Sequence, residues 1–165
     1  MIKPKLTLLI IAMIGFSLNS CKKDKEPQPD IRISFKVDGT FKNIYAKEGI
    51  TAIYDKHLIS SPLHEPPVAP TLTIFGKAGD SQIHIGLKNF NGSGEYVTRG
   101  SLFFPCEIFY SEPGSNLYIS SEGSVNVTTF DGKVVQGTFE CIAENANHER
   151  KNVTHGYFKL NVSTM

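Results

Sequence analysis

Cys21, Cys106 and Cys141 are the three thiols of this chain, and His57, His64, His84, His148 and His155 are its five imidazoles. At short spacing such groups would build a zinc site, or pair a sulfur nucleophile with its base. Neither Cys-x-x-Cys nor His-Glu-x-x-His occurs, and His64-Glu65 lacks the second histidine. His84 and His155 fall in extended segments, where an imidazole ordinarily meets solvent or a hydrogen-bond partner, so no metal site is expected. Gly92-Ser93-Gly94 lacks the spacing of the strained Gly-x-Ser-x-Gly nucleophile turn and reads as a plain turn. Glu107, Glu112, Glu122, Asp131 and Glu140 are dispersed. A hydrolytic pair would need two carboxylates about 5–10 Å apart, which folding and not spacing decides. No glycine cluster leads into a Lys-Ser/Thr dipeptide, so no phosphate cradle is expected. The chain is therefore expected to be no enzyme and to need no cofactor. Asn-x-Ser/Thr triplets at Asn91, Asn126, Asn152 and Asn161 follow from polar strand surfaces and are discounted as modification sites.

Cys21 has a different context. Lys3 and Lys5 form a basic start, and residues 6–16 are apolar apart from Thr7. That run is short of the about 20 residues a membrane-spanning helix needs and suits an export signal. Leu18-Asn19-Ser20-Cys21 then places leucine three positions before cysteine and a small residue immediately before it. This resembles the lipobox of bacterial lipoproteins, which implies cleavage ahead of Cys21 and a diacylglyceryl group on its sulfur. Residues 1–20 are then the signal peptide, and 21–30 are the lipidated cysteine and a polar tether. The tether from Lys22 to Asp30 has two prolines and no apolar side chain; its nine residues can reach about 30 Å. Lysine after the cysteine gives no Asp-type retention signal, so the expected location is the outer membrane, on its periplasmic face or at the cell surface.

If Cys21 is acylated, Cys106 and Cys141 remain. Two readings stand side by side: a disulfide closing a loop of roughly 35 residues, contributing ~3–4 kcal/mol, or two buried thiols packed as small hydrophobes. Phe103, Phe104, Phe109 and Tyr110 flank Pro105-Cys106. Alternation places Phe103 and Phe109 on one side and Phe104 and Tyr110 on the other, so one side could pack inward while the other meets a sugar ring or a peptide.

These groups must be positioned by strands. The chain of 165 residues is 40% hydrophobic with 14 Gly, 9 Pro and no Trp, which points to many turns and away from a helical bundle. Its net charge of +1 excludes a generic nucleic-acid binder, and losing Lys3 and Lys5 leaves the remainder near neutral. Residues 31–165 form one expected β-domain. Residues 31–37 alternate apolar and polar up to Asp38-Gly39. A three-residue loop ending at Gly39 would set Phe35 opposite Phe41, whereas a two-residue loop would set it opposite Lys42; the aromatic pairing favours the first. Residues 46–70 hold four prolines, with either a short strand at 50–54 or a functional loop. A second hairpin turns at Ala78-Gly79-Asp80, and 95–98, 102–109, 117–120, 125–130, 134–143 and 153–162 continue the series. Inward apolar sets are Val125 and Val127; Val135, Phe139 and Cys141; and Phe158, Leu160 and Val162. With no helical stripe, the expectation is an all-β antiparallel sandwich of about eight or nine strands, with a lipocalin-like barrel as the alternative.

Cys21-Lys-Lys-Asp, Phe35-Lys-Val-Asp-Gly39, Gly94-Glu-Tyr96, Gly123-Ser-Val-Asn-Val-Thr128 with the turn at Asp131, Gly137-Thr-Phe139 and Val153-Thr-His-Gly-Tyr-Phe158 together resemble a family of small Bacteroidetes-type lipoproteins of uncharacterised function. The resemblance implies an all-β lipoprotein and no enzymatic activity. The expected function is a lipid-anchored envelope protein with a binding or structural role. Its partners would be the membrane, through the N-terminal lipid, and an envelope protein or a glycan. Two alternatives are a carrier of a small apolar ligand in a barrel, which needs a hollow interior, and a hydrolase using a carboxylate site, for instance under residues 61–70.

Overall fold

The computed structural model describes residues 31–56, 69–99, 105–114 and 116–165. Ten strands form in chain order: β1 (Arg32–Val37), β2 (Thr40–Tyr45), β3 (Ile50–Asp55), β4 (Thr71–Ala78), β5 (Ser81–Lys88), β6 (Gly94–Thr98), β7 (Cys106–Glu112), β8 (Asn116–Phe130), β9 (Val134–Glu144) and β10 (Arg150–Thr164). The helical content of the described residues is one 3₁₀ turn at Ala46–Glu48. The all-β expectation holds, and so does the short strand at the start of the 46–70 stretch. Ten strands stand against the eight or nine expected.

The sheet closes on itself. β10, β3, β4, β5, β7, β8 and β9 form a seven-stranded ring, and β1, β2 and β6 attach to it. This is the barrel alternative rather than two separate layers. The reason lies in the two 15-residue strands, each long enough at about 3.3 Å per residue to pair in two places along one edge. β10 pairs with β9 on one side; on the other it pairs with β1 up to Lys159 and then runs parallel to β3 from Val162. β8 likewise pairs with β9 on one side, and on the other with β7 through Asn116–Ile119 and with β6 through Gly123–Val127. Each long strand thus carries the sheet around a corner.

Corners require bulges. β8 slips register against β9 between Ser120 and Glu122, and again between Val127 and Thr129. β10 slips between Val153 and Gly156, where His155 takes a left-handed φ of 53°. Each extra residue inverts the in/out alternation, so Val153 and Phe158 both face inward despite their odd spacing. The gap expected between 120 and 125 is therefore a bulge within one strand.

Where β6 and β7 part, the Ile108 N–H has no β8 carbonyl to meet, and Ser120 Oγ accepts it instead at 3.1 Å while bonding Thr98 Oγ1 at 3.0 Å. Both hydroxyls are buried. Ser120→Ala strands a buried backbone donor, so an equilibrium denaturation curve should register a loss of about 1–3 kcal/mol. Thr98→Val, which leaves the Ser120–Ile108 bond intact, should lose less.

The first hairpin corrects the favoured register. Asp38 and Gly39 both have positive φ, 48° and 80°, and make the tight two-residue turn; Phe35 lies opposite Lys42, and Lys36 opposite Phe41. Phe35 is fully buried and Phe41 is 55% exposed. Aspartate and glycine tolerate this backbone, and Asp38 Oδ1 is held at 3.0 Å by the Asn152 N–H, so turn chemistry outweighs burial of one aromatic.

The barrel interior is occupied by side chains that meet across it. Phe35 on β1 contacts Tyr110 on β7 and Phe139 on β9, each with ring centroids 5.9 Å apart, and Phe139 reaches Phe158 on β10. At one end Tyr54, Phe90, Tyr96 and Phe130 form a second aromatic cluster. Of the inward sets read from the sequence all are buried, Val162 only partly.

Candidate functional site

Cys21, the tether, His57, His64, Phe103 and Phe104 lie outside the described residues. Cys106 and Cys141, for which a bridge and packed thiols were equal readings, are free and buried. Burial pushes both thiols up to about 12, which leaves neither as a nucleophile. Pro105 directly precedes β7 and its carbonyl accepts the Lys88 N–H; the expected start of this segment at 102 lies outside the described residues.

The carboxylates are distributed to structural partners. Glu107 pairs with Lys88. Asp131 caps its hairpin by accepting the Lys133 and Val134 N–H groups, which hold its carboxyl below the usual range. Glu144 accepts from His148 and Arg150. Lys151 lies between Asp38 at 3.2 Å and Glu112 at 3.6 Å, with its ammonium against the Tyr118 ring. The hydrogen bond to Asp38 raises the Lys151 pKa, while the Asn152 N–H first and Lys151 second lower that of Asp38. Glu112 also accepts from Tyr110, and Glu149 from Tyr118 and Asn145. This end of the barrel is a satisfied polar cap that ties three turns together. Among the described residues, no three His, Cys, Asp or Glu side chains gather as a metal site.

Two outer faces differ in character. On the first, cross-strand pairing aligns Phe75, His84, Phe109 and Ile119 in a row across β4, β5, β7 and β8, with Leu117 beside it. Phe109 thus points outward and Tyr110 inward, as alternation requires. His84 lies 5.4 Å from the Phe109 ring, and burial lowers its pKa against the opposing pull of Glu107. The folded chain then prefers neutral His84, and the unfolded chain binds the proton first. Stability should be complete above about pH 6.5 and fall as the pH drops below it, levelling once the folded value is passed. Urea midpoints at pH 7.5 and 5.5 measure the slope, and His84→Gln should remove it. Asp38, Asp131 and Glu144 act below this window, because their pKa values are lowered from already acidic ones.

The second face is polar and concave. A groove of about 560 Å³ crosses β6, β8, β9 and β10. Glu95, Asn126, Thr138 and Tyr157 are register partners and form one row along it; Ser124 and Glu140 form the next, with His155 at the bulge. Among the described residues, no hydrogen bond or ion pair engages the side chains of Glu95, Ser124, Asn126, Thr138 or Glu140. Of these groove residues, sequence reasoning singled out only Glu140 and His155 as candidate chemistry. The rest are outward positions of separate strands, and only the register brings them together. Compared with known proteins, the chain matches no family model, no curated protein and no solved structure.

Proposed function

We propose that this chain is a lipid-anchored protein of the outer membrane, held by Cys21, that works by binding through its outer sheet face and not by catalysis. The observation that carries the binding reading is the contrast between inside and outside. Among the described residues aromatic side chains meet across the barrel interior, which favours a packed core over an apolar carrier, whereas unengaged polar side chains collect in the groove across β6, β8, β9 and β10. The hydrolase alternative needs convergent polar side chains; in the groove neither Glu95 nor Glu140 is engaged with another titratable group, and residues 61–68, under which it is expected, lie outside the described residues. The anchor rests on the Leu18–Cys21 lipobox. It confines the domain to a surface and raises its effective concentration near envelope partners.

A photo-crosslinking residue at Thr138, introduced into the full chain in intact cells, tests the reading. A discrete adduct of envelope material is expected from Thr138 and none from Lys47, which is exposed on the 3₁₀ turn. Equal labelling from both positions, or none from Thr138, overturns it.

A further inference from the structure

We propose that the groove across β6, β8, β9 and β10 is a saccharide subsite, in which Glu95, Asn126, Thr138 and Glu140 meet ligand hydroxyls and Tyr157 forms a flat wall. The proposal rests on the outer-face binding reading and names its ligand class.

The chemistry of the lining selects the class. The floor strands β8, β9 and β10 have neighbours on both edges, so their backbone donors and acceptors are largely committed to the sheet. An extended peptide, which is held mainly through its own backbone at a free strand edge, finds no such edge on these three strands, and the free edge beside the groove belongs to the five-residue β6. The one large apolar side chain besides Tyr157, Phe139, is 3% exposed, so the groove offers no large apolar side chain but Tyr157 to a ligand. What remains is a field of side chains only: two carboxylates, an amide and two hydroxyls. A carboxylate can accept two neighbouring hydroxyls at once, and an amide can donate to one while accepting from the next. A neutral ligand dense in hydroxyls satisfies that field, and the row from Glu95 to Tyr157 spans three strand spacings, about 14 Å, long enough for more than one sugar ring.

Two features shape the groove. The Arg32 guanidinium lies 5.4 Å from the Tyr157 ring centroid, which holds the ring as a fixed surface. His155 sits at the β10 bulge with φ of 53°, a conformation that non-glycine residues seldom adopt, and its imidazole stays exposed at the rim. Gly156 beside it carries no side chain to fill the floor, and a Cβ there would lie 2.6 Å from the Phe139 ring.

The test uses the full acylated chain in a detergent without a sugar headgroup. It is presented to an array of α- and β-linked glucan, mannan, xylan and N-acetylglucosamine oligomers, and hits are titrated by calorimetry. At least one oligomer should bind with a dissociation constant of about 1 mM or tighter. Asn126→Ala and Glu140→Gln should each weaken it at least tenfold while leaving the unfolding midpoint unchanged, and Leu117→Ser on the opposite face should not affect it. Absence of any binding, binding indifferent to both groove variants, or capture of a lysine-rich control peptide in place of every sugar overturns the saccharide assignment. If Thr138 still yields a specific adduct in cells, the ligand class alone has failed; if that adduct is missing too, the outer-face reading fails with it.

Discussion

Cys21→Ser should shift the protein from the membrane fraction to the soluble fraction of the envelope, the largest change expected from any single substitution in this chain. The physical basis is additive burial of acyl methylenes, each contributing about 0.8 kcal/mol. One chain alone gives marginal, reversible attachment, and two or three give a stable anchor, so removing the acceptor sulfur takes away all of the attachment at once. A change in partition of more than about 100-fold is expected. The folded domain begins at β1, eleven residues beyond Cys21, so its unfolding midpoint should not move. Intact-mass measurement of the wild-type protein provides the matching result: an N-terminal residue carrying fatty acid at Cys21. Unchanged membrane association in the variant, or a native chain that starts at Met1, would remove the basis for placing the domain in the outer membrane.

Much of the fold was legible in local patterns. Strict alternation marked β1, and Asp131-Gly132 and Gly79-Asp80 marked two hairpins, because turn residues and period-two burial are local properties. Closure was not legible. It depends on β8 and β10 each having two partners along one edge, and the bulges that permit this invert the alternation that reveals a strand. Val125 and Val127 therefore read as a strand separate from 117–120, when all belong to β8. Phe41 shows the limit of burial reasoning: pairing two aromatics looked favourable, but Asp38 gained the Asn152 N–H and Lys151 by adopting the tighter turn. The groove was the least legible feature. Glu95, Asn126, Thr138 and Tyr157 come from four strands spread over more than sixty residues, and no sequence spacing encodes their common row.

The same corners carry the second large expected effect. Gly123 lies in β8 just after its first bulge, opposite Cys141 on β9 and Thr98 on β6, with φ of 145°. A Cβ added there would run into the Glu140 carbonyl oxygen and sit 2.6 Å from the Cys141 Cα. Both obstacles are backbone of the neighbouring strand, which cannot swing aside as a side-chain tip would. Gly137 meets the Asn126 carbonyl and the Phe158 ring in the same manner, and Gly156 meets Phe139, so three adjacent strands approach closely where the sheet coils. Gly123→Ala combines an unfavourable φ, at about 1–3 kcal/mol, with overpacking of similar size, for a total loss of about 3–5 kcal/mol. Against a typical domain stability of about 5–15 kcal/mol, that leaves a marginal or unfolded protein. Gly39→Ala supplies the comparison. Its φ is 80°, but no atom lies within 4 Å of the added carbon, so only the conformational cost of about 1–2 kcal/mol should appear. Paired urea denaturation of the two variants separates clash from backbone preference. If Gly123→Ala is no less stable than Gly39→Ala, β8 and β9 can part without cost at that corner, and the barrel does not depend on their close approach.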